Sequence, residues 1–353
     1  MEALKTLLKE LLLIDSSTQD GANQAVEFCG TWLIEQGCNV SLLENNGCKM
    51  LLCEIGEGSE TVVFNGHVDV VSGKKSQFLP VEKNGRMYGR GSADMKAGIA
   101  AMMFAVSRLK NETLGVKIQL QIVSDEEIGG YNCTGYLVDN GHTGDFAICS
   151  EPTQLGIALQ AKGVLHMDIE VAGKAAHGSR PWEGENAIAN AWELYGEICG
   201  LPFLKDHTEF YPAPSVNLAK INGGEVYNKV PDLCTMSLDI RYLPGQKTEQ
   251  IIRQIDDITN GKLIIKVAGA PVETKKENVY IHKLSSIVEK HTGIPARYFG
   301  QHGSADTHFF ASKGIPAIEF GPSGANWHGD EEYVEIQSLY TYLTMLEDFA
   351  RAF

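Results

Sequence analysis

The chain has 353 residues, 43% of them hydrophobic and 21% charged; this is the composition of a globular enzyme too long for one core, and it predicts two lobes. The formal charge of -15 argues against a nucleic-acid-binding surface, because phosphate recognition needs clustered Lys and Arg, and only the short pairs Lys74-Lys75 and Lys275-Lys276 stand out. An ordinary acidic surface explains most of that charge, and carboxylates gathered around cations are compatible with it.

The leucines of Met1–Leu13 recur at helical spacing among charges, which predicts an amphipathic helix and not a signal peptide. A second helical pattern covers Ala25–Gln36, and Met50–Cys53 and Thr61–Phe64 read as strands. A small-residue helix over Lys96–Leu109 precedes the strand Lys117–Ser124, a short helix and the strand Asp145–Ser150. This alternation predicts an α/β fold with a mostly parallel sheet covered by helices. From Gly163 the pattern changes to a strand Val164–Val171, a helix Glu185–Cys199, strands near Ser215–Ile221 and Asp232–Tyr242, a helix Thr248–Asn260 and a strand Leu263–Ala268. That order, β-α-β-β-α-β, is a ferredoxin-like split-βαβ sandwich of a size suited to an inserted lid. Helices over Val279–His291 and near Asp306–Ser312, the strand Ala317–Phe320 and the helix Ile336–Ala352 then return to the first texture. The expected division is a catalytic domain of residues 1–162 and 269–353 with residues 163–268 inserted. No apolar run approaches the roughly 20 residues of a membrane span. Eight scattered cysteines without a CxxC pair resemble neither a disulfide framework nor a Cys-type zinc site. A reducing cytoplasm fits these features.

Chemistry-bearing residues collect where strands end. The strand from Thr61 runs into Gly66-His67-Val-Asp69, with the His and Asp on one side of an extended segment. A carboxylate there can hold a metal-binding imidazole, although HxD taken alone favours an ordinary histidine. In Gly89-Arg-Gly-Ser-Ala-Asp94-Met-Lys96, Asp94 precedes a helix and could be either an N-cap or a ligand. The run lacks the third Gly of a dinucleotide fingerprint and any Walker lysine, so nucleotide binding is rejected. Asp125-Glu126-Glu127 would repel one another unless cations or protons compensate. They follow a strand, as do Glu151 and His328, and α/β sheets bind ligands outside the carboxyl ends of their strands. His67, Asp94, Glu127, Glu151 and His328 make a donor set suited to zinc, with manganese or cobalt possible. One carboxylate bridging two ions about 3.5–4 Å apart would leave room for a shared water-derived nucleophile. Glu126, the spare acid, is the candidate general base, taking the water's proton and passing it to the leaving amine.

The motifs GHVDVV, GRGSADMKAG, SDEEIGG, SEPT and the late Trp-His-Gly, in this order, resemble the M20 metallopeptidases. That family includes acetylornithine deacetylase, succinyl-diaminopimelate desuccinylase, aminoacylase and carboxypeptidase G, and the resemblance spans nearly the whole chain. It implies a zinc-peptidase-like catalytic domain with two zinc ions per subunit, one held by His67, Asp94 and Glu151, the other by Asp94, Glu127 and His328. It further implies Asp69 behind His67, Glu126 as acid/base, and a homodimer formed through the inserted lobe. His177, in Gly173-Lys-Ala-Ala-His177-Gly-Ser, matches the lid histidine that stabilises the oxyanion. Asn228 and Arg241 resemble residues that bind the reacting carbonyl and a substrate carboxylate, although Arg241 could equally be a surface ion pair. The loop containing Gly303 and Ser304 corresponds to the family's small-residue loop near that carboxylate. His302 and His308 stand where the family pattern has no histidine, and Ala161-Lys162 stands where desuccinylases carry an arginine pair, which disfavours a succinyl group. The expected reaction is hydrolysis of the amide bond of an N-acyl amino acid, of acetylornithine or acetyl-lysine type. A dipeptidase or carboxypeptidase is the alternative, and an inactive binding protein a remote one.

Overall fold

A computed structural model describes residues 1–259, 261–303 and 305–353. The chain divides into two compact units: Met1–Leu159, Glu273–Phe299 and Ala305–Phe353 form the first, and Gln160–Val272 with Gly300–Ser304 the second.

At the centre of the first unit, the strands Lys117–Val123, Thr61–His67, Phe146–Cys149 and Ala317–Glu319 lie side by side and parallel. Antiparallel strands continue the sheet on both sides, Cys48–Ile55 and Val40–Asn45 beyond Lys117–Val123, and Ile157–Ala161 beyond Ala317–Glu319. A parallel strand covered on both faces must be apolar throughout. Phe146–Cys149 is accordingly buried at every position, as are Val62, Val63 and Phe64. The helix Lys96–Leu109 packs on Ile336–Arg351 and is buried almost all round, which its Ala, Gly and Met content permits. The architecture is the expected α/β one, with a largely parallel central sheet.

Two hairpins went unread in the sequence. The strands Val40–Asn45 and Cys48–Ile55 turn on Asn46-Gly47, both at positive φ (50° and 80°). Val81–Lys83 and Arg86–Tyr88 turn in the same way on Asn84-Gly85, at 53° and 75°. Asn-Gly at these angles makes the two-residue hairpin turn whose twist matches that of the flanking strands. The second hairpin joins Tyr333–Glu335 and Gly324–Ala325 in a small sheet that ties this segment to the chain around His328.

In the second unit the strands run in the order Ser215–Gly223, Leu233–Tyr242, Gly163–Ala172, Lys262–Gly269, each antiparallel to its neighbour. That is the ferredoxin-like arrangement. Leu165, Met167, Ile169, Met236, Leu238 and Ile240 point to one face and pack against the helices Ala187–Ile198 and Thr248–Asp256. The expected end of the second helix, Asn260, lies outside the described residues. All eight cysteines are free, and all but Cys199 are buried. Among the described residues no helix is long and apolar enough to cross a membrane.

Candidate metal centre

Parallel register brings the carboxyl ends of the central strands to one edge. His67 lies opposite Val123, so the Asp125–Glu127 segment follows beside it; Asn65 lies opposite Cys149, two residues before Glu151. Asp94 reaches this edge from the loop before Lys96–Leu109. It is not that helix's N-cap, which is Met95 without a side-chain cap, and the peptide between Asp94 and Met95 is cis.

The seven side chains of the first unit singled out by sequence meet here. The Nε2 of His67 lies 3.2 Å from Asp94 Oδ1, 3.7 Å from Glu151 Oε1 and 3.9 Å from Glu126 Oε2. The Nε2 of His328 lies 3.3 Å from Asp94 Oδ2 and 3.2 Å from Glu127 Oε1. Two donor clusters result, His67, Asp94 and Glu151 in one, Asp94, Glu127 and His328 in the other, each with its ligand atoms within 4.8 Å of one another. Asp94 presents one oxygen to each. His67 is 1% exposed, whereas the His328 side chain is 51% exposed.

Asp69 meets His67 through both its main chain and its side chain. The His67 Nδ1–H donates to the backbone carbonyl oxygen of Asp69 at 2.9 Å, while the carboxylate Oδ1 is 3.5 Å away. The other oxygen, Oδ2, accepts the Glu127 N–H at 2.8 Å. The main chain orients the imidazole because the strand end brings that carbonyl closer, and the carboxylate fixes the Glu127 segment.

Charge in this pocket is unbalanced. Burial drives the carboxyls of Glu126 and Glu151 well above the usual range, with nearby carboxylates adding to it, and burial raises Glu127 as well. Asp94 is held below the usual range: burial opposes its ionisation, but hydrogen bonds from His328 and His67 prevail. Burial works against a protonated His67, yet its hydrogen bonds to Asp69 and Asp94 outweigh this and raise it well above the ordinary value. Protons are therefore shared where divalent cations would supply the missing positive charge. Two imidazoles and three carboxylates, with one carboxylate common to both clusters, fit a pair of such ions by number and chemistry.

Further residues frame the centre without having been singled out. Glu332, 2% exposed, accepts N–H groups of the Asp94 loop and pairs with buried Arg90. Asp306 Oδ2 accepts the Thr134 hydroxyl at 2.5 Å, and burial pushes its carboxyl up to about 7. Lys96, wholly buried, donates to the carbonyls of Leu11 and Ile14. A lone acid in a polar loop carries no local signal; only the Gly89–Lys96 motif could have directed attention to Arg90 and Lys96.

The remaining expected residues belong to the second unit. His177 and Asn228 lie on adjoining antiparallel segments: the Gly178 N–H donates to the Asn228 carbonyl at 2.7 Å, and His177 bridges Lys229. Both are exposed, and His177 Nδ1 contacts Ser179 Oγ at 2.8 Å. Arg241 donates through Nε to Asp239 at 2.8 Å. Gly303 is exposed, and Ser304 lies outside the described residues. His302 packs edge-on against Tyr211, and in the first unit His308 lies against Phe309 with the rings tilted by 37°, where burial lowers its pKa to about 4.

Residues 63–352 match the profile of peptidase family M20/M25/M40. The succinyl-diaminopimelate desuccinylase of Nautilia profundicola is 29% identical over 345 residues, covering 92% of this chain and 93% of its own. The acetylornithine deacetylase of Proteus mirabilis is 27% identical over 351 residues, 91% of this chain and 88% of its own. Among solved structures, aminopeptidase PepT from Bacillus cereus superposes with a TM-score of 0.84 at 21% identity, over 99% of this chain and 98% of its own, a likeness of fold.

Proposed function

The chain belongs to peptidase family M20/M25/M40 and is a metal-dependent hydrolase of amide bonds, and from this premise we propose that it removes the acyl group of a small N-acyl amino acid, of acetylornithine or acetyl-lysine type. The observation that carries the reading is Asp94, whose two oxygens face two separate donor clusters with Glu126 beside them. His67, Asp94 and Glu151 would hold one ion and Asp94, Glu127 and His328 the other. Zinc suits the imidazole content best, with cobalt and manganese as substitutes. Bound there, the ions would polarise the scissile carbonyl and acidify water.

Glu126, in neither cluster, accepts a proton on its carboxylate and delivers it to the departing nitrogen. Before ions bind, burial and the neighbouring carboxylates raise its carboxyl, and as a carboxylate outside both donor clusters it is placed to carry a proton and not a metal ion. Asp69 keeps Glu127 and the His67 segment in register. In the inserted lobe of residues 163–268, His177 donates to the developing oxyanion, Asn228 assists at the carbonyl, and Arg241 pairs with the substrate carboxylate, with Gly303 and Ser304 alongside. That lobe also serves as lid and homodimer contact, which light scattering on the purified protein tests.

A second reading, cleavage of dipeptides or of a carboxy-terminal residue, is equally served by the two-cluster site of this peptidase family. Lys162, in place of an arginine pair, weighs against a succinyl substrate. Assays of N-acetyl amino acids, N-succinyl amino acids and dipeptides with added zinc, cobalt or manganese separate these. Turnover of dipeptides alone would overturn the deacylase reading. Absence of both turnover and bound metal would leave a binding protein.

A further inference from the structure

We infer that Arg90 and Glu332 act as positioning residues, forming a strut that sets Asp94 against His328 and thereby the affinity of the Asp94, Glu127 and His328 cluster for its divalent ion. The inference rests on the reading of these three residues as ligands. The Glu332 carboxylate is buried and takes four donors on two oxygens. Its Oε1 accepts the N–H groups of Ala93 at 2.9 Å and Asp94 at 3.1 Å; its Oε2 accepts the Gly91 N–H at 3.0 Å and Arg90 NH1 at 2.8 Å. One side chain thus fixes the main chain on which Asp94 is mounted. The other amino group of Arg90 donates to the carbonyls of His328 at 3.3 Å and Ser72 at 3.4 Å. A single buried ion pair, with both side chains under 5% exposed, therefore joins the loop of one ligand to the backbone of another.

Local structure makes both ends depend on this hold. Gly91 has φ +77°, and a Cβ there would come within 2.7 Å of Val70, so the loop takes a shape that glycine alone allows. His328 has φ 62°, uncommon for a residue with a side chain, and its imidazole is half exposed, so little packing restrains it. Asp94 and Glu127 are far less exposed, at 14% and 12%. Losing the strut should loosen His328 first, because Asp94, although its loop is mounted on the strut, is also held by buried His67 at 3.2 Å.

The test is metal titration of the full chain against a chromophoric chelator, together with the visible spectrum of the cobalt-loaded protein. Four proteins are compared: unsubstituted, Glu332→Gln, Arg90→Lys, and Glu331→Gln as an exposed neighbour in the same loop. Arg90→Lys keeps the charge beside Glu332 but loses the forked reach, so it serves should Glu332→Gln fail to fold. The strut predicts that both variants hold the first equivalent as the unsubstituted protein does, bind the second about 10–100-fold more weakly, and change the cobalt spectrum of that second equivalent. Glu331→Gln should bind both normally. If the variants, folded by circular dichroism at the assay temperature, show only a lower melting temperature with both equivalents bound normally, the strut is refuted. If the unsubstituted chain itself binds fewer than two equivalents, the two-metal reading fails instead.

Discussion

Four carboxylates, Asp94, Glu126, Glu127 and Glu151, crowd two imidazoles at one sheet edge, and their titration follows from that crowding and from burial. In the metal-free chain His67 and His328 are raised above their ordinary value, and so are Glu126, Glu127 and Glu151. A cation must displace the protons these groups retain. Binding should therefore release protons near neutral pH, and because both imidazoles are raised, apparent affinity should begin to fall while the pH is still above about 6.5, the ordinary histidine value. Calorimetry in buffers of different ionisation enthalpy checks this; heats independent of buffer would contradict it. Glu126 is separable from binding because it belongs to neither cluster. Glu126→Gln should leave metal stoichiometry intact and reduce turnover about 10²- to 10⁴-fold, as read by metal analysis and steady-state assay on the same preparation.

The helix Lys96–Leu109 owes its place to small residues. A Cβ on Gly98 would come within 2.0 Å of Ser150 Oγ and 2.6 Å of the Ser150 carbonyl oxygen, so the helix lies directly on the strand end that carries Glu151. Gly98→Ala would gain about 1 kcal/mol of helix propensity, but overpacking typically costs about 1–3 kcal/mol. Since the obstacle includes backbone, the cost should win. The variant is expected to melt at a lower temperature than the unsubstituted protein; an unchanged or higher melting temperature would show that the helix can shift.

The second unit leaves and re-enters the first at neighbouring points. The Thr274 N–H donates to the Leu159 carbonyl at 2.8 Å, so the ends flanking residues 160–272 already lie side by side. Replacing those residues by a short turn should leave the first unit folded and able to bind two ions, since all five proposed ligands belong to it. Turnover should fall by more than about 10²-fold, the usual effect of losing one oxyanion donor, because His177, Asn228 and Arg241 go with the excised segment. Retained turnover would remove these three from the mechanism.

What the sequence determined by itself was local. Hydrophobic period and small-residue content specify the helix Lys96–Leu109 and the strands from Thr61 and Lys117 within a few residues, because burial on both faces imposes an apolar run that can be read along the chain. Donors at the strand ends were legible for the same reason, since each follows such a run. The Asn-Gly hairpins were equally local and simply went unread. Tertiary structure decided the pairings across long separations: Asp94 with Glu332 across 238 residues, Glu127 with His328 across 201, Asp306 with Thr134 across 172. It also set the carbonyl of Asp69 beside the His67 ring at 2.9 Å, with the carboxylate of the same residue at 3.5 Å. Neither propensity nor period encodes such contacts. A buried carboxylate like Glu332 is spelled the same as a solvated one, and only the fold determines which N–H groups it meets.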